Sequence, residues 1–132
     1  RTMQENPQYN DIIDDILEFF MQRIKECEQS GISKERLILD PGFGFGKTLA
    51  HNYEVLAKLE QFKALGLPVL AGISRKSMIG NLLNRDVNER LAGSLAAAIV
   101  AVQQGANIIR VHDVRESVDV INVLKTVAQY KI

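Results

Sequence analysis

Apolar residues recur along this 132-residue chain with two alternating periods. From about Tyr9 to Ser30 they fall at Ile12, Ile13, Ile16, Leu17, Phe20, Ile24 and Cys27, the spacing of one helix face. Asn10 or a neighbour can cap the start, and Gly31 can close the end in the left-handed conformation. Leu37-Ile38-Leu39 is an apolar run too short for a helix. Asp40-Pro41-Gly42 stops it, which predicts a buried strand of parallel type. A second helix is predicted over roughly Asn52 to Leu65, with Tyr53, Leu56, Leu59 and Phe62 in register and Gly66 just beyond it. Pro68 opens a second strand, Val69 to Ile73, which ends at Ser74-Arg75-Lys76-Ser77. A short helical turn follows around Met78 to Leu83. Asp86-Val87-Asn88-Glu89 fits a capping box ahead of a small-residue helix, Glu89 to Gln104, closed by Gly105. Ile108 to Val111 is the third strand. Asp113-Val114-Arg115-Glu116 can cap a last helix through about Gln129, with Val118, Ile121, Leu124 and Ala128 on one face.

The order α-β-α-β-α-β-α, with a helix in every connection, implies parallel strands joined by right-handed crossovers. No linker, low-complexity stretch or solenoid repeat divides the chain, so residues 1–132 read as one unit. Two architectures fit: an open doubly wound sheet, or part of a (β/α)8 barrel. An open sheet gathers its ligand groups at one switch point, whereas a barrel sets them at the C-terminal end of every strand. Polar or Gly-bearing segments follow all three strands here, which favours the barrel. A whole barrel takes roughly 200 residues or more, so three strands are only part of one.

Composition narrows the picture without redirecting it. Hydrophobic residues make up 46% and charged residues 24%, as in ordinary globular domains and unlike disordered chains. Sixteen Lys and Arg balance sixteen Asp and Glu, a poor match to nucleic acid or an acidic membrane surface. The longest uninterrupted apolar run, Leu95 to Val102, is eight residues, too short to cross a bilayer, and no apolar signal core follows Arg1. One cysteine, Cys27, cannot form an internal disulfide, and a cytoplasmic location is the default.

The strand ends carry the candidate chemistry. Gly42-Phe43-Gly44-Phe45-Gly46-Lys47-Thr48 has the look of a phosphate loop. The Walker spacing, however, puts Pro41 where a glycine is required, and proline has no N–H for a phosphate cradle. No dinucleotide fingerprint can be written through its glycines either. The segment is either a tight strand-to-helix loop or a loop presenting Asp40, Phe45 and Lys47 to a ligand. A carboxylate there can accept paired N–H bonds from an amidine-like edge, and a Phe offers a flat face to a ring. Ser74-Arg75-Lys76-Ser77 is either a solvated helix start or a donor cluster awaiting an anion or carbonyl, since cations at a helix N-terminus oppose its dipole. Arg110 and His112, two apart on a strand, share a face. They suit an anion such as phosphate, or an internal ion pair with Asp113 or Asp40. His51 reads as a surface residue and Cys27 as inert, and no spacing reads as a metal site.

Three segments together resemble dihydropteroate synthases of the bacterial type. Leu39-Asp40-Pro41-Gly42-Phe43-Gly44-Phe45-Gly46-Lys47 is similar to that family's sixth-strand motif. Gly72-Ile73-Ser74-Arg75-Lys76-Ser77 is similar to its seventh, and Arg110-Val111-His112-Asp113 to its eighth. Gly93-Ser94-Leu95-Ala96-Ala97 suits its penultimate helix. The match runs over nearly the whole chain, in order and in spacing.

The resemblance implies a TIM barrel, of which the chain covers the C-terminal part: the fifth helix, then three βα units. It implies joining of 6-hydroxymethyl-7,8-dihydropterin diphosphate to para-aminobenzoate, with release of pyrophosphate, in folate biosynthesis. The displacement is at the pterin methylene carbon, assisted by Mg2+ on the diphosphate, in an enzyme family that is a sulfonamide target. On matching positions, Asp40 takes the pterin's amino and N3–H edge, Lys76 its carbonyl and ring nitrogen, and Gly72 lines the slot. Phe45 and the stem of Lys76 flank the aminobenzoate ring, Ser77 meets its carboxylate, and Arg110 and His112 hold the diphosphate. These roles are positioning and charge stabilisation, without a side-chain nucleophile. The Mg2+-binding Asn and two mobile loops belong to strands outside the chain, so the 132 residues alone are expected to be inactive. A homodimer through the last helices is implied, with Ala92 to Ala98 suited to the contact. Ile38, Leu70 and Ile108 are expected to face strands that the chain lacks, a surface that promotes association. Two alternatives remain: a pterin-binding methyltetrahydrofolate methyltransferase domain, and a non-catalytic phosphate-binding module.

Overall fold

The computed structural model describes residues 11–44 and 46–131. The first helix, α1 (Ile12–Gln29), is capped by Asp11, whose carboxylate accepts from the N–H groups of Ile13 and Asp14. This is the cap expected of a neighbour of Asn10; Tyr9 and Asn10 themselves lie outside the described residues. Its end is the predicted one. Gly31 at φ +87° reverses the chain, and the Ile32 N–H returns to the Cys27 carbonyl at 2.8 Å. Ile12, Ile13, Ile16 and Phe20 bury the apolar stripe, while Leu17, Ile24 and Cys27 are half-buried along it.

The predicted second helix is two pieces: α2 (Leu49–Ala57) and a 3-10 helix, Leu59–Leu65. Both put apolar residues inward: Val55, Leu56, Leu59 and Phe62 are buried, and Phe62 meets the Phe20 ring edge-on at 5.6 Å. The start moves three residues earlier than predicted because Thr48 and His51 form a reciprocal capping box. His51 is therefore part of the helix start and half-buried, rather than a plain surface residue.

The strands are shorter than predicted. β1 is Leu70–Ala71 and β2 is Ile108–Ile109, paired in parallel with Leu70 opposite Ile108. The run 37–39 contributes one parallel bridge, Leu39 to Val69, so the order is 39, β1, β2 with β1 central. Past the paired residues the Arg110 N–H still donates to the Ala71 carbonyl at 3.0 Å before the chain turns at Arg75, and among the described residues the first and third segments have a partner on one side only.

Three further helices follow. α3 (Ser77–Leu83) is the predicted short turn. α4 (Leu91–Gln103) begins two residues later than predicted. The Asp86 capping box does not form, since residues 87–89 tighten into a 3-10 turn and Asp86 makes no side-chain cap. α5 (Val114–Ala128) starts as expected, but Asp113 makes no cap bond, because its carboxylate is engaged by Arg75. The face of α5 turned inward holds Ser117, Ile121 and Leu124. Val118 and Ala128, expected on it, are exposed. The small residues of α4 are used for packing within the chain: Ser94, Ala97, Ala98 and Ala101 are buried. A Cβ on Gly93 would lie 2.9 Å from Leu83 Cδ1 and collide with Ile79. α4 packs on α5 and α3, and α2 packs on α1, α3 and α4.

The period of two splits the strand residues cleanly. Leu39, Val69, Ala71 and Ile73 point to the helices and are almost fully buried. Ile38 and Ile108 point the other way and are 53% and 38% exposed, with Leu70 half-buried between them. This open face is the one expected to meet further strands.

Candidate functional site

The same open face carries the polar candidates at its C-terminal end. Asp40, Gly72 and Arg110 share one parity: Gly72 is level with Arg110 on its neighbour, and Asp40, level with Leu70, lies one step nearer the strand starts on the third segment. Asp40 Oδ1 accepts the Gly42 N–H at 2.9 Å, fixing the carboxylate at the turn, and Oδ2 forms an ion pair with Arg110 Nη1 at 3.6 Å. The pair reaches across because the middle position has no side chain: a Cβ on Gly72 would sit 2.7 Å from Arg110 Cζ. Of the two ion-pair partners open for Arg110, Asp40 is the one used.

Lys76 approaches from the loop after β1. Its Nζ donates to the Phe43 carbonyl at 3.2 Å and stands 6.0 Å from the Phe43 ring centre. Phe43 is almost fully buried, so it serves as a fixed wall. Burial first, then the nearby Arg110 cation, lower the Lys76 pKa, and Asp40 partly offsets them. Lys47 donates to the Pro41 carbonyl at 3.3 Å. Its pKa is also lowered, by burial first and then by Lys76, with Asp40 again opposing. Three cations and one carboxylate thus share a partly desolvated corner, an excess of positive charge suited to an anionic or electron-rich ligand.

Ser77, the first residue of α3, lines a cavity of about 200 Å³ together with Gly44, Lys47, Asn52 and Asn81. Phe45, expected against a ring ligand, lies outside the described residues. His112 shares the parity of Arg110, as expected, and its Nδ1 lies 2.9 Å from Ser74 Oγ. Arg75, part of the expected cation cluster, turns to Asp113 at 3.0 Å instead, tying the loop after β1 to the start of α5.

Several residues that hold the site were not singled out by the sequence. Asn52, 4% exposed, accepts the Gly44 N–H at 2.8 Å and donates to the Thr48 carbonyl at 3.0 Å, clamping the glycine loop to α2. A polar residue one turn before buried Val55 and Leu56 was the available signal. Arg75 adopts φ +60°, a conformation costly for a residue with a Cβ. Three neighbours hold it there. Ser94 Oγ accepts its N–H at 3.0 Å, Arg90 Nη1 donates to its carbonyl at 2.8 Å, and Asp113 takes its guanidinium. That turn aims Lys76 and Ser77, the next two residues.

With this geometry in place, comparison with known proteins is informative. Residues 1–112 match the family described as pterin binding enzymes. The chain belongs to that family. It is 54% identical over 131 residues to the dihydropteroate synthase of Escherichia coli strain K12, covering 99% of this chain and 46% of that protein. The crystal structure of the Yersinia pestis dihydropteroate synthase superposes with a TM-score of 0.93 at 50% identity, over 96% of this chain and 52% of that one. A sulfonamide drug complex of the Yersinia pestis enzyme superposes with a TM-score of 0.94 at 49% identity, over 99% of this chain and 48% of that one. This pterin binding family member thus spans about half the length of the curated relatives it matches. No helix among the described residues is long and apolar enough to cross a membrane.

Proposed function

We propose that residues 1–132 are the C-terminal part, about half, of a (β/α)8 barrel domain with dihydropteroate synthase activity. The whole barrel condenses 6-hydroxymethyl-7,8-dihydropterin diphosphate with para-aminobenzoate and releases pyrophosphate. One observation carries the reading: on the open strand face Arg110 reaches over the side-chain-free Gly72 to Asp40, with the Lys76 amine close to both charges. A carboxylate next to a side-chain-free position accommodates a flat heterocycle with paired N–H donors, and an adjacent Arg suits its diphosphate.

In this reading Asp40 accepts from the pterin edge, Gly72 leaves room for the ring, and Lys76 donates to its carbonyl and ring nitrogen. Phe45 and the Lys76 stem flank the aminobenzoate ring, and Ser77 meets its carboxylate at the 200 Å³ cavity. Arg110 and His112 neutralise charge that grows on the departing diphosphate, the step where fixed charges lower the barrier most. No side chain becomes covalently attached. Among the described residues no group of three or more His, Cys, Asp or Glu could hold a metal ion. In this reading the Mg2+ is held by the diphosphate and by residues outside the chain. By the same reasoning the 132 residues alone make no dihydropteroate. The open face with Ile38 and Ile108 is completed by further strands, the enzyme dimerises through its last helices, and it works in the cytoplasm.

A methyltransferase reading is not favoured, since these relatives carry the synthase name; a bare phosphate-binding module accounts for Arg110 and His112 but not for Asp40. The test is a hybrid in which this chain replaces the matching 131 residues of the Escherichia coli enzyme. Formation of dihydropteroate from both substrates, lost in Lys76→Ala, is expected. A folded hybrid without synthase activity overturns the reading.

A further inference from the structure

The loop after β1 and the end of β2 meet at one hydroxyl. Ser74 Oγ lies 3.3 Å from the backbone nitrogen of His112 and 2.9 Å from its Nδ1. A serine hydroxyl has one proton to give and two lone pairs to receive. The His112 backbone N–H can only donate, so it uses a lone pair of Oγ. The Oγ proton is then the complementary partner for Nδ1, which receives it as an acceptor. The reverse arrangement sends two N–H groups of one residue to the same oxygen and turns the hydroxyl proton out to water, away from the ring.

We propose that Ser74 is a positioning residue that holds neutral His112 in its Nε2–H tautomer. Nδ1 is occupied by Ser74, so the remaining ring N–H, on Nε2, faces away from it as a donor. Arg110, of the same strand parity, supplies the permanent charge next to it. The pair then offers an anion a guanidinium and a correctly protonated imidazole without reorganisation. When the ring gains a proton, Nδ1–H donates to Ser74 Oγ and the ring keeps its place while acquiring charge. The use of that donor for a diphosphate rests on the synthase reading; the tautomer itself does not.

Nitrogen-15 NMR of the ring in the hybrid Escherichia coli enzyme that carries this chain, with the imidazole neutral, tests this directly. The expected result is Nε2 protonated and Nδ1 bare in the unaltered chain. Ser74→Ala gives a tautomer mixture with the fold intact by circular dichroism, and Ser74→Thr restores the single tautomer. Titration with inorganic pyrophosphate is expected to show affinity about fivefold weaker in Ser74→Ala, the size of one lost hydrogen bond, and recovery in Ser74→Thr. A proton on Nδ1 in the unaltered chain, or an unchanged tautomer in Ser74→Ala, overturns the proposal. Pyrophosphate that leaves the unaltered His112 ring unperturbed counts instead against the diphosphate reading, whichever tautomer is found.

Discussion

The two faces of the three-segment sheet are built from alternating residues of the same short runs, and they differ in almost everything else. Leu39, Val69, Ala71 and Ile73 meet the helices and are at most 4% exposed. Ile38, Ile108 and Arg110 open to solvent, and Asp40, Gly72 and His112 share their parity. One face holds the chain together, and the other holds polar groups near enough to act on a ligand. A period of two separates stability from function at the cost of a single residue step.

The sharpest way to break that comparison is a pair of neighbouring substitutions. Leu39→Ala should cost about 2–5 kcal/mol, the usual range for a buried Leu. Ile38→Ala, one residue away and 53% exposed, should cost less than about 1 kcal/mol. Urea denaturation of both variants gives the two values, and equal losses would erase the distinction between the faces. In the hybrid enzyme the proposed barrel covers Ile38 with further strands, so the Ile38→Ala cost should rise towards the core value.

Ser94→Ala asks whether the buried side supports the open one. Its hydroxyl accepts from strained Arg75 and donates to the Arg90 carbonyl at 2.6 Å. Loss of about 1–3 kcal/mol is expected from the orphaned N–H of Arg75, together with a weaker KM for aminobenzoate in the hybrid. An unchanged KM would show that the turn holds Lys76 and Ser77 without this brace.

Gly72→Ala acts on the open face alone. The new methyl group displaces a flexible guanidinium rather than packed backbone, so stability should change by less than about 1 kcal/mol. Pyrophosphate affinity, read by calorimetry, should fall about tenfold, equivalent to ~1.4 kcal/mol. Unchanged affinity would detach Arg110 from the anion site.

The smallest effect is on pH dependence. Lys47 and Lys76 both have pKa values lowered from 10.5 in the folded chain. Between those lowered values and 10.5, the unfolded chain binds more protons, so these two groups make stability rise with pH. Below the window both states are charged and the folded chain bears the full penalty. A Lys47→Met, Lys76→Met double variant should therefore gain less stability than the parent across the alkaline range in urea midpoints. An identical slope would place both amines in a water-like setting.

Much of the architecture was legible in the sequence because helices advertise themselves locally. The stripe of α1, the left-handed closures at Gly31 and Gly66, and the short α3 follow from spacing and punctuation within one segment. The capping box at Asp86 failed for a reason no local pattern holds: residues 87–89 tighten to bring Arg90 under the Arg75 turn. Asp113 missed its capping role because a residue 38 positions away claims its carboxylate.

Site residues with charge at strand ends were legible for the same reason as the helices: residue type and parity place them. Asn52, Ser94 and Arg90 were not, since each holds a backbone atom outside its own element, and Ser74, legible as a donor, gained its His112 partner only in the fold. The sequence by itself determined the order of elements, which strand residues share a face, and the charge types at the strand ends. Only the tertiary structure decided that Asp40 pairs with Arg110 across an empty Gly72, and that Arg75 faces Asp113. Parity is a property of the local backbone, whereas a partner is chosen by which strands lie side by side.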